Sequence, residues 1–170
     1  MEVVVLLPLD SMSLIALDQA KPGQFLFDPK SNDRKSLRLL SAGDGQRRLF
    51  SISKEGDRVH TSEHSVGYGL PPFVTYTNSR LMADPDSLVH PTQNTLSFGT
   101  LLLTARGPGI LFEAQSGHDA VFLLSGEVVE TQWGSDVGFY RWEVEALDED
   151  RSPTSLFAID VPPPAKFSSR

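Results

Sequence analysis

Apolar residues occur along this chain in short runs, and glycine, proline, aspartate or serine closes most of them. Runs bounded in this way point to strands more than to helices. Residues 138–147 (Gly-Phe-Tyr-Arg-Trp-Glu-Val-Glu-Ala-Leu) carry the clearest alternation. Side chains of a strand point to opposite faces in turn, so Tyr140, Trp142 and Val144 are expected to share a buried face. Phe112, Phe122 and Leu124 are expected in the same core. Further strands are predicted at 2–7, 24–27, 37–40, 48–53, 58–60, 72–77, 95–104, 110–113, 120–124, 127–132 and 156–161. No stretch holds a helical period convincingly. Residues 11–21 are ambiguous, because Ser11 or Ser13 could cap a short helix that Pro22-Gly23 would end. Residues 61–72 and 78–94 are rich in turn formers and are expected as connections. The pattern predicts an all-β protein, a sandwich or barrel of about ten to twelve short antiparallel strands.

One stretch occurs twice. Ala20-Lys21-Pro22-Gly23-Gln24-Phe25-Leu26-Phe27-Asp28 is echoed by Ala105-Arg106-Gly107-Pro108-Gly109-Ile110-Leu111-Phe112-Glu113. Each is a basic residue, a Pro-Gly turn, an apolar run ending Leu-Phe, and a carboxylate. Proline presets φ and glycine accepts positive φ, so both are expected to turn the chain into a strand. Leu39-Leu40-Ser41 and Leu123-Leu124-Ser125 extend the match, as do Asp57-Arg58 with Asp150-Arg151 and Pro71-Pro72 with Pro162-Pro163. Their order is preserved, as in two similar β units fused with loop insertions. The units would be 1–77 and 95–164, with 78–94 as connection and 165–170 as a loose tail. The alternative is that such short matches recur wherever strands share turn chemistry and that the whole chain packs as a single domain.

Composition narrows the chemistry. The chain has 170 residues, enough for one full core or two small ones. There is no cysteine, which removes disulfides, thiolate metal sites and thiol nucleophiles, and fits a cytoplasmic, reducing compartment. Residues 1–7 are apolar but lack a basic leader, and Pro8 ends the run well short of a membrane span. The net charge of -7 arises wholly in residues 76–170. An acidic chain is a poor ligand for nucleic acid, which needs a basic face to displace counterions.

Few residues suggest catalysis. His60-Thr61-Ser62-Glu63-His64 has two histidines four apart, but a zinc site of that spacing needs a helix, and the local pattern is not helical. There is no nucleophile elbow, phosphate-binding loop or dinucleotide fingerprint. Gly107, Glu113, Gln115, Asp119 and Gly126 follow the intervals of the first cupin motif, and in that respect the segment resembles the cupins. The resemblance implies a jelly-roll barrel. In that family two histidines and a glutamate at these positions hold a divalent metal. Here they are Glu113, Gln115 and Asp119, without either imidazole, and oxygen ligands alone suit harder cations. No cofactor is implied.

The expected function is therefore a non-catalytic β-rich module that binds a protein partner or associates with itself, without nucleic acid or membrane. The alternative is a cupin-like barrel, an enzyme included, that takes a small ligand or metal at a mouth lined by Glu113, Gln115, His118 and Asp119. Trp133 precedes a turn and is the better of the two tryptophans for an exposed contact.

Overall fold

Alternation and short runs translate into fifteen strands in a computed structural model that describes residues 11–29, 36–42, 47–67, 69–90, 96–114, 119–131 and 136–160. The first seven are β1 (Met12–Ile15), β2 (Phe25–Leu26), β3 (Ser36–Leu40), β4 (Arg48–Glu55), β5 (Arg58–Ser65), β6 (Phe73–Tyr76) and β7 (Ser79–Ala83). They are followed by β8 (Leu88–Val89), β9 (Leu101–Thr104), β10 (Gly107–Glu113) and β11 (Asp119–Leu123). The last are β12 (Val128–Glu130), β13 (Val137–Phe139), β14 (Arg141–Leu147) and β15 (Pro153–Asp160). All strand pairings are antiparallel, and no α-helix occurs among the described residues. No helix there is long and apolar enough to cross a membrane.

The first sheet is a meander, β2–β3–β4–β5. Phe27 and Val74 exchange two backbone hydrogen bonds of 2.8 Å, which join β2 to the β6–β1 pair. The second sheet runs β12–β11–β10–β9–β13–β8. Its far edge bends. The chain passes from β13 through Tyr140 into β14, while the paired chain passes from β7 through a single 3-10 turn at Pro85–Ser87 into β8. The buried Ser87 hydroxyl ties the bend together, donating to the Asp84 carbonyl at 2.7 Å and accepting from the Arg141 amide at 3.1 Å. Beyond it lies the third sheet, β15–β14–β7.

One apolar cluster lies between these sheets. Leu37, Leu39, Phe50 and Ile52 come from β3 and β4, Ile110, Phe112 and Phe122 from β10 and β11, and Trp142, Val144, Ala146, Phe157 and Ile159 from β14 and β15. Both halves of the chain contribute. Phe50 stands at its centre, with ring centroids 5.1 Å from Phe112 and 4.9 Å from Phe122. Trp142 packs its ring on Phe157 and donates its indole N–H to the Gly99 carbonyl at 2.8 Å, which satisfies the one polar atom it buries.

The outer faces are also partly covered. Residues 17–20 lay Leu17 and Ala20 over Leu26, Leu40 and Leu49 of the first sheet and Phe73 of β6. Leu96 and Phe98 lie over Leu102, Leu111, Val121 and Leu123 of the second. Strands buried on both faces read as continuous apolar runs rather than alternating ones, which is the character of residues 120–124 and 110–112.

Several expectations are corrected. Residues 12–15 form a strand, not the start of a helix, because they pair with β6 along its whole length. Residues 61–65 are not loop but the second part of β5, paired residue by residue with β4. The connection expected at 78–94 contains β7, the 3-10 turn and β8. Gly107-Pro108-Gly109 is not a turn. The chain reverses at Ala105 and Arg106, and the glycines and proline begin β10. Among the described residues of the run that begins at Thr95, strand is confined to Leu101–Thr104. Tyr140 and Leu124 are half-buried rather than core, Tyr140 because it sits at the bend. The expected strand at 2–7 and the tail lie outside the described residues.

Candidate functional site

Two of the sequence's candidate residues come together. Glu113 and Asp119 are register partners at the end of the β10–β11 hairpin. Phe112 beside them points into the core, so strand alternation turns Glu113 and Asp119 to the outer face, that of Leu111 and Val121. The pair therefore does not line the interior, where Phe50, Phe112 and Phe122 pack against one another. The Glu113 amide donates to the Thr61 hydroxyl at 3.2 Å, fastening the hairpin end to β5. Gln115, His118 and Trp133 lie outside the described residues.

The histidine pair is placed by β5. A strand period of two puts His60, Ser62 and His64 on one face and Glu63 on the other. Ser62 and His64 share a side-chain hydrogen bond of 2.9 Å, and both histidines are exposed. Glu63 is buried and ion-paired with Arg48 on the neighbouring strand. The three side chains thus have separate surroundings. Among the described residues no group of three or more His, Asp or Glu is arranged to hold a metal ion.

The bent sheet carries a surface that the sequence did not single out. The inward face of β14 presents Trp142, Val144 and Ala146, so its outward face presents Arg141, Glu143 and Glu145. Across from them stand Arg80 and Met82 on β7 and Ala158 and Asp160 on β15. A cleft of about 460 Å³ opens here, lined by Asp84, Glu143, Glu145 and Asp160 among others. Two ion pairs bound it: Arg141 with Asp84 at 3.2 Å, and Arg80 with Glu145 at 2.9 Å. The Arg141 guanidinium also lies 5.5 Å from the Tyr140 ring centroid. The sequence signal for this face was the charged half of the 141–147 alternation; what it lacked was the identity of the strands on either side.

No family model, curated protein or solved structure matches the chain.

Proposed function

We propose that the chain is a non-catalytic β-sandwich module that works through its outer surfaces, by binding a protein partner or by assembling with copies of itself. The observation that supports this reading most is the filling of the interior. Phe50, Phe112 and Phe122 meet edge-on or tilted between the sheets, where a cupin-like barrel would keep room for a ligand. The acidic second half argues against nucleic acid, and the absence of cysteine fits the cytoplasm. The repeated Pro-Gly stretch supports an origin in two similar fused β units. Each copy runs into a strand paired antiparallel with the strand that follows it, and each delivers its phenylalanine to the shared cluster.

The rival reading retains one specific observation, the two carboxylates Glu113 and Asp119 side by side. Elemental analysis of purified protein, with thermal denaturation in the presence and absence of calcium, magnesium and manganese, separates the two. The module reading expects no stoichiometric metal and an unchanged melting temperature. Stoichiometric metal, or stabilisation by a cation that is lost in Glu113→Gln/Asp119→Asn, would establish the rival.

A further inference from the structure

We propose that the open end of the inner face of the second sheet binds a second copy of the chain in a two-fold dimer. This inference rests on the reading of the chain as a non-catalytic module and names its partner. Strand register sets side chains in rows across that face. One row, Phe122, Ile110, Leu101 and Phe139, packs into the central cluster. The next row, toward the β9–β10 turn, is Leu124, Pro108, Leu103 and Val137. Leu124 joins it through its amide, which donates to the Pro108 carbonyl at 2.9 Å. Alternation turns this row the same way as the first, yet Leu103 is 50% exposed and Pro108 is exposed beside it. Val128 and Leu88, at the two ends of the packed row, are 44% and 47% exposed. The sandwich thus closes over one row and leaves the next open, an apolar strip rimmed by polar turns. Such a strip marks an interaction surface.

The charges beside the strip select the occupant. Arg106 in the β9–β10 turn and Glu127 in the β11–β12 turn pair at 2.8 Å, and both side chains are well exposed. An exposed pair contributes little within its own chain, so its members can exchange partners. One cation and one anion at the rim are complemented by the same surface turned through a two-fold rotation. An axis running along the strands between β10 and β11 sets Arg106 of each copy against Glu127 of the other. Strand order across the strip is β12, β11, β10 and β9, so the same axis carries Leu103 onto Val128 and Leu124 onto Pro108. Charged and apolar positions are therefore self-complementary about one axis. Neighbouring strands stand about 4.8 Å apart, which makes the paired span roughly 14 Å wide.

A strongly charged ligand is the less suitable occupant, because Arg106 and Glu127 cancel and leave the rim without excess charge. Leu14, also exposed, lies on β1 in a different sheet and supplies the comparison.

Sedimentation velocity over a wide range of protein concentrations tests the dimer. The full chain should pass from monomer to dimer and no further. Leu103→Asp should weaken dimerisation about a hundredfold, because each substitution occurs twice in a two-fold interface, while Leu14→Asp should leave it unchanged. Arg106→Glu and Glu127→Arg place like charges opposite each other in their own dimers, so each alone should be monomeric. Mixed in equal amounts, the two variants should form a heterodimer, in which every charge again meets its opposite. A role for the ion pair only within one chain cannot produce that recovery. A monomer at every concentration would overturn the proposal. So would a dimer indifferent to Leu103→Asp, or a monomer whose melting temperature falls in Leu103→Asp, which would show the strip covered by the chain's own residues. A dimer lost in both charge variants but not recovered on mixing, or an open series of larger species, would overturn the two-fold axis. None of these results decides the metal analysis, which upholds or rejects the module reading on its own.

Discussion

The two Pro-Gly stretches share most of their residue pattern and are used differently. In the first, Pro22 and Gly23 make a turn ahead of β2, with Gly23 at φ +73°. A Cβ on Gly23 would collide with the Leu124 carbonyl oxygen, and one on Gly126 would collide with Pro22. The turn of the first half is thus pressed against the turn that follows β11 in the second. The Ala42 amide donates to the Gly126 carbonyl at 2.7 Å beside this contact. In the second stretch the two demands fall on different glycines. Gly107 has φ +114° and open space where a side chain would be. Gly109 has no positive φ, but a Cβ there would lie 2.6 Å from a Val121 methyl group. One glycine supplies both backbone freedom and close approach in the first copy, and two share the tasks in the second. Similar local sequence sets a preference; the surface that arrives opposite decides how it is used.

The largest contrast is expected at the phenylalanines that end the two stretches. Phe112 is fully buried and touches two other phenylalanines, whereas Phe27 retains slight exposure and meets Tyr76 edge-on. Phe112→Ala should cost about 4–5 kcal/mol and Phe27→Ala about 3 kcal/mol by urea denaturation. A larger loss at Phe27 would reverse the ranking of the two environments.

The glycines come next. Gly23→Ala combines left-handed strain of about 1–2 kcal/mol with overpacking of about 1–3 kcal/mol against backbone, so about 3 kcal/mol is expected. Gly56 has φ +59° and nothing near its missing side chain, so Gly56→Ala measures the strain alone, about 1 kcal/mol. If the two variants lose equal stability, the contact between Pro22-Gly23 and Leu124–Gly126 contributes nothing. Gly109→Ala, with crowding but without positive φ, should fall between them at about 2 kcal/mol.

The all-β class was legible because turn residues punctuate the chain so regularly. The inner face of β14 was legible because one side is buried and the other solvated, so the alternation survives in the letters. β5 was not. Its sequence His60-Thr61-Ser62-Glu63-His64 is polar on both faces, and its one buried residue in that segment is a carboxylate held by Arg48. Strand structure there comes from pairing with β4. β1 resembled a helix because Ala16-Leu17-Asp18-Gln19-Ala20 follows it, and those residues instead form a turn laid over the first sheet. The candidate carboxylates Glu113 and Asp119 were picked out by motif intervals, but their pairing and outward direction depend on the β10–β11 register and on which side of β10 meets β4. The cleft over β14 needed Met82 and Ala158 as flanking neighbours, which lie far away in the chain and carry no motif.

Both halves of the chain contribute to a common core and their turns are in contact, so they are expected to unfold as one cooperative unit. Urea unfolding of a Trp133→Phe variant tests it most directly. Trp142 fluorescence reports the second half, and the amide resonances of Leu39 and Phe50 report the first. Coincident midpoints are expected for the two probes, with Gly23→Ala moving both together. Loss of the Leu39 and Phe50 signals at a lower urea concentration, while Trp142 fluorescence remains native, would contradict it.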